Sequence, residues 1–339
     1  MQHESPATVI KVWLYAAVSV AAGAWVTPLL YNAGKALAEV SSKKTTNGFL
    51  EWLAKWCGVA ELPAFFVVGV LLVAAVLFFP WMEWIHARSA SRGSSMGPWL
   101  LRLPNARRLT SRGQPLRRNL GGLWDSCAGF MLVAGLMLSM GVALVPAGYF
   151  TLKLPPEGML ILCLRTFWPA LAIALVMEVF FRGVAMGIFM RAMRPAAALG
   201  MSAAFFALVL AMFPPPGLNV ADPDAPRTGF ELLGLVIGSY ADWRNLFGTI
   251  LPLLALGGVL AYARWRTASL WLPTGLHTGW IFALDLLGRL SVPQGAGESL
   301  KSGSLLQEGL IPLIAILLAG LLAHRITPTL DDERALHTS

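Results

Sequence analysis

Residues Ala172–Met190 read AIALVMEVFFRGVAMGIFM, an apolar run broken only by Glu178 and Arg182. A charged side chain at the centre of a spanning helix costs about 2.5–3.5 kcal/mol on insertion scales, so this pair needs a physical reason. Spacing supplies part of one. Four residues of α-helix place the two groups about 40° apart on one face, with the carboxylate on the N-terminal side, the favoured order for an ion pair. Ionisable groups at that depth mark either a functional site or a mutual neutralisation.

The surrounding chain supports the membrane reading. Its 339 residues are 56% hydrophobic and 13% charged, with mean hydropathy +0.64, too apolar for a soluble globular domain. The hydrocarbon core is roughly 30 Å thick, so each helical span needs about 20 mostly apolar residues. Eight segments qualify: Val9–Tyr31, Pro63–Ile85, Cys127–Phe150, Thr166–Met190, Ala196–Phe213, Leu246–Ala263, Leu270–Leu290 and Leu305–Ala323. The expected fold is therefore all-α, a polytopic bundle of about eight transmembrane helices. The first span is too long for a signal-peptide core and lacks a basic leader, so it reads as an anchor.

Four regions follow from this layout. Residues 1–32 form the N-terminal anchor, and 33–125 hold the second span with polar and Arg-rich loops. Residues 126–326 form the membrane core, and 327–339 a polar tail. Between the fifth and sixth spans, Pro214–Tyr240 opens on three prolines and turns at Asp222-Pro223-Asp224. Its apolar second half, Phe230–Tyr240, is too short to span and suits an interfacial helix or a lid over a membrane cavity.

Net charge is +8, unevenly spread: His86–Arg118 carries eight arginines and no acid. The positive-inside rule makes that loop cytoplasmic, and alternation puts both termini on the same side. The expected partners are membrane lipids, with anionic headgroups at the Arg-rich loop. No aromatic platform or nucleic-acid-binding module accompanies the arginines, which excludes nucleic acid. Cys57, Cys127 and Cys163 are isolated, and His277 is the only histidine inside an expected span. No metal site and no cofactor are expected from such spacing.

The seventh span, LWLPTGLHTGWIFALDLLGRL, is the second informative segment. Gly275 and Gly279 form a small-xxx-small ridge that admits a close neighbour. His277 lies about 200° from either glycine, so it faces a different neighbour and the helix is central. Asp285 and Arg289, four residues apart, read as a salt bridge near the end of this span.

Three motifs in order resemble the CPBP intramembrane endopeptidases, which include the CAAX-processing prenyl proteases and the Abi proteins. Met177-Glu178-Val179-Phe180-Phe181-Arg182-Gly183 is similar to E-E-x-x-x-R followed by glycine, with methionine for the first glutamate. Phe206-Ala207-Leu208-Val209-Leu210 resembles F-x-x-x-H, with leucine for the histidine. Ser269-Leu270-Trp271 leads to His277, and Ile281 stands where H-x-x-x-N has its asparagine. The resemblance implies a bundle of about eight helices, in the bacterial cytoplasmic membrane by the family's usual distribution.

It also implies a division of labour in which the first glutamate and the F-x-x-x-H histidine activate water, while the later histidine and asparagine stabilise the oxyanion. Met177 and Leu210 cannot accept a proton, and Ile281 cannot donate one. Glu178, Arg182 and His277 remain as candidate catalytic residues. An ion-paired carboxylate is a poor base, so the Glu178–Arg182 pair reads first as structural. His277 reads either as an oxyanion donor or as a buried histidine bonded to a helix carbonyl. The leading expectation is a homologue with impaired or absent proteolysis that binds a membrane peptide or partner. The alternatives are a working peptidase built on Glu178 and His277, and a transporter or channel subunit.

Overall fold

Apolar runs of this length, in a chain whose backbone groups must be satisfied without water, fold as helices. The computed structural model describes residues 6–43, 47–90, 122–153, 155–215, 217–267, 269–293 and 310–326, nearly all of them helical. Among the described residues, five helices are long and apolar enough to cross a membrane: Ala7–Lys43, Leu62–Ile85, Gly122–Ala143, Met159–Ala192 and Trp243–Thr267. The fold is an all-α membrane bundle. Most of the Arg-rich stretch and the whole of the tail at 327–339 lie outside the described residues.

Two compact units emerge. Of the described residues, one unit comprises those within 6–90 and 208–246, and the other those within 122–207 and 247–326.

In the first unit, α1 (Pro6–Lys43) runs antiparallel to α3 (Leu62–Ala90). The pairing is legible residue by residue: the Lys11 ammonium donates to the Trp84 carbonyl at 2.7 Å, Tyr15 Oη to the Ala74 carbonyl at 2.6 Å, and Tyr31 meets Phe65 edge-on. A Cβ on Gly23 would stand 2.6 Å from the Val70 Cα, so the backbones are close. Helix α1 overruns its expected end at Tyr31 by twelve residues, and α2 (Gly48–Val59) lies within the polar stretch expected before the second span. The reason is local. After Gly34 the chain offers Lys, Ala, Leu and Glu, all good helix formers, and the Asn47 side chain caps α2 by accepting from the Leu50 amide at 2.9 Å. Lys35 then donates to the Gly58 and Ala60 carbonyls at 3.0 and 2.9 Å, fixing the end of α2 to α1.

The apolar half of Pro214–Tyr240 is α8 (Thr228–Ser239). Its buried positions Thr228, Gly229, Leu232 and Val236 follow the helical period, and Gly229 lies against the Ala24 carbonyl of α1. Leu232 joins Val20, Ala24, Leu62, Phe66 and Val70 in one apolar cluster.

In the second unit, α4 (Gly122–Ala143) begins five residues before the expected span and stops well short of Phe150. Pro146 and a left-handed Gly148 (φ 78°) end it, and Phe150–Leu152 forms β1, paired antiparallel with β2 (Ser291–Pro293). Helix α5 (Met159–Glu178) passes into a π-helical turn at Val179–Ala185 and continues as α6 (Met186–Ala192). Helices α7 (Pro195–Ala211), α9 (Trp243–Thr267), α10 (Trp271–Leu290) and α11 (Leu310–Ile326) complete the set.

Helix α10 is central, as its glycine spacing requires, and only its two ends and one stripe escape burial. A Cβ on Gly275 would run into the Ser126 carbonyl of α4, one on Gly279 would stand 2.6 Å from the Phe130 carbonyl, and one on Gly129 would stand 2.9 Å from the Leu272 carbonyl. Glycines on both helices thus interleave. The opposite side of α10 is free to carry His277 towards another neighbour.

Candidate functional site

That neighbour is the end of α5. Glu178 closes the α-helical part, and the next residues take π geometry, with the Met186 amide bonding the Phe181 carbonyl five residues back. Such wide turns occur mostly as single insertions and are frequent at functional sites. Arg182 lies inside the turn, still on the same side as Glu178.

Two side chains converge on one carboxylate oxygen of Glu178. Arg182 Nη1 donates to Glu178 Oε1 at 3.0 Å, and His277 Nδ1 lies 2.8 Å from the same atom. Arg182 Nη2 donates to the Gly257 carbonyl of α9 at 3.2 Å. The guanidinium rests over the Phe206 ring, 4.1 Å from its centroid, and Phe206 in turn meets the His277 ring edge-on at 5.6 Å. Side-chain exposure is 0% for Glu178, 0% for Arg182 and 3% for His277, so the centre is sealed from bulk solvent.

The chemistry follows from who can donate. A carboxylate oxygen only accepts, so His277 offers its Nδ1 proton to Glu178. In the neutral ring Nε2 then carries a lone pair, and the group is an acceptor rather than a donor on that side. One acid and one guanidinium cancel, which is the arrangement a low-dielectric interior tolerates. Two buried atoms, Glu178 Oε2 and Arg182 Nε, have no hydrogen-bond partner among the described residues. Both belong to the same cluster, so its hydrogen-bonding capacity is only partly used.

Sequence reasoning gave His277 a helix carbonyl or an oxyanion as its partner; the structure gives it Glu178 instead. Glu178 faces the histidine helix directly. The three candidate residues are therefore brought together. The replaced positions are not part of this contact. Met177 is half-buried beside Glu178, and Leu210 lies one turn beyond Phe206 on α7. Ile281 packs against an apolar cluster of Ala134, Leu162, Ala170, Phe282 and Leu286. Asp285 pairs with Arg289 at 3.0 Å at a half-exposed position apart from the centre, the salt bridge expected of it.

Two contributors escaped the sequence reading. The Gly257 carbonyl is a backbone group, and its one signal is the Gly257-Gly258 step within an apolar span, where a missing Cβ allows the backbone to come close. A Cβ there would stand 3.0 Å from the Ala203 Cα and 3.1 Å from Phe206. Phe206 was noticed for its place in a motif, not as the aromatic face beneath the guanidinium. Among the described residues no cluster of three metal-ligating side chains occurs.

Residues 159–283, well under half of the chain, match the family model for the Rce1-like type II CAAX prenyl endopeptidases. Over that segment the chain is similar to the CAAX-protease family. The segment contains all three members of the buried centre and the whole of α5, α7, α8 and α9. No curated protein and no solved structure matches the chain. The CAAX-protease match bears out the resemblance that the three ordered motifs suggested, and it covers all three of them.

Proposed function

We propose that the chain is a CAAX-protease-like membrane protein that engages a membrane-embedded peptide or protein segment without cutting it. The observation that carries this reading is the double occupation of Glu178 Oε1. Arg182 and His277 both point at it, so the three candidate catalytic groups bond to one another within a sealed contact. A carboxylate held by a guanidinium is poorly suited to take a proton from water. The side chains at the other motif positions, Met177, Leu210 and Ile281, supply neither a base nor a donor.

A second reading has one observation in its favour. A carboxylate that orients a histidine through Nδ1 is a recurrent catalytic device, because it leaves Nε2 as a base. Glu178 and His277 have that geometry at 2.8 Å.

Peptidase assays separate the two. The purified chain, reconstituted in lipid, is offered prenylated C-a-a-X peptides and bacteriocin-leader peptides, alongside Met177→Glu/Leu210→His and Glu178→Ala variants. The non-cleaving reading expects no product from the unmodified chain and a gain only in the double variant. Cleavage by the unmodified chain that disappears in Glu178→Ala would establish the working peptidase in its place.

A further inference from the structure

At the far end of α9 from its N-terminus, a second polar cluster lies outside the buried centre. Helices α9 and α11 run parallel: a Cβ on Gly320 would stand 2.8 Å from Val259, and one turn later Tyr262 meets His324. Both helices therefore end at the same level, and both end in cations, Arg264 and Arg266 on α9, His324 and Arg325 on α11. Two of these, Arg266 and His324, converge with Tyr262. Tyr262 Oη lies 2.6 Å from His324 Nδ1, and Arg266 Nη1 lies 2.8 Å from that hydroxyl and 2.7 Å from the same ring nitrogen. Because Nδ1 accepts here, the neutral His324 ring turns its N–H outwards from Nε2.

The bland reading is that cations suit helix C-termini. It does not account for the aromatic company. Trp265 and Trp271 are both exposed at this end, Trp124 is exposed two residues into α4, and Gly122 at the start of α4 abuts Trp271. Tryptophan and tyrosine gathered around arginines at the end of spanning helices mark the headgroup level of a bilayer. In sequence, the Arg-rich stretch ends at Arg118, four residues before Gly122, so the strongest positive-inside signal in the chain feeds into this same end. One acid, Asp125, sits in the first turn of α4 there.

We infer that Tyr262, Arg266, His324 and Arg325 form a binding site for the phosphate of an anionic phospholipid. Arg266 and Arg325 supply positive charge, and the imidazole supplies an N–H donor. Trp265 lies beside Tyr262, with ring centroids 6.0 Å apart. The inference does not depend on whether the buried centre cleaves peptides.

The test uses the full chain in phosphatidylcholine nanodiscs containing phosphatidylglycerol, with retained lipid counted by native mass spectrometry. The unmodified chain is expected to keep phosphatidylglycerol in preference to phosphatidylcholine. Arg266→Gln and Arg325→Gln should each weaken retention about fivefold, the effect of one cation near a membrane surface. Arg244→Gln, at the opposite end of α9, should leave it unchanged. Arg325 is exposed, so its variant reads binding even if the Arg266 variant fails to fold. Equal retention by all four proteins would overturn the site. Displacement of the lipid by inorganic phosphate at matched concentration would overturn the lipid assignment in favour of a free anion. Preferential retention that appears only after removal of residues 327–339, with their Asp331-Asp332-Glu333 run, would assign these cations to the chain's own tail.

Discussion

Glu178 gives one oxygen to two donors, so truncating its partners has unequal consequences. Arg182→Ala leaves a carboxylate buried without its countercharge and is expected to destabilise the fold by about 3–5 kcal/mol. Replacing both members together, Glu178→Met with Arg182→Leu, removes the charge problem along with the bond and should be far milder. Unfolding in increasing SDS, followed by circular dichroism, measures both, and equal losses would mean that the pair does more than neutralise. His277→Ala removes one of two donors to an oxygen that keeps the other, so a smaller loss, about 1–3 kcal/mol, is expected. At this scale the sequence was half legible. Glu178 and Arg182 are four residues apart, and a local rule pairs them without knowledge of the fold. His277 is 99 residues from Glu178, and the Gly257 carbonyl is 75 from Arg182, so both contacts depend on how separate helices pack.

The packing that delivers His277 resides in whole elements. Gly275 and Gly279 bring α10 against α4, and the added methyl group of Gly275→Ala would collide with the Ser126 carbonyl, which is rigid backbone. Such overpacking is expected to cost about 1–3 kcal/mol. Gly288→Ala, on the same helix with nothing within 4 Å, should be neutral or slightly stabilising because alanine is the better helix former. Comparing the two variants in one SDS titration isolates helix contact from helix propensity. Two Gly residues at the right spacing made this ridge readable in advance. The π turn at Val179–Ala185 was not, since nothing in VFFRGVA distinguishes it from ordinary α-helix and its register is set by what α5 and α6 must meet. Nor was the length of α1, where polar residues after Tyr31 suggested a loop although their helix propensity is high. Hydropathy reports where lipid ends, and a helix does not have to end there.

Across the whole molecule, the division into two compact units has an experimental consequence. Each unit carries a cysteine with a different degree of cover: Cys57 is buried between α2 and α1 in one, and Cys163 is half-buried on α5 in the other. Burial pushes the Cys57 thiol up, with Lys35 pulling more weakly the other way. The thiolate is the reactive form, so Cys57 should label slowly near neutral pH until its unit opens. Gly229 provides a way to disturb that unit alone. It lies against the Ala24 carbonyl, and Gly229→Leu would force α8 away from α1, a change expected to cost about 1–3 kcal/mol. Pulsed thiol labelling read by mass spectrometry across an SDS series should then show Cys57 reacting at lower SDS in the variant. The Cys163 profile should not move, because α5, α10 and α4 pack with one another inside their own unit. If both profiles shift together, the two units unfold as one cooperative body.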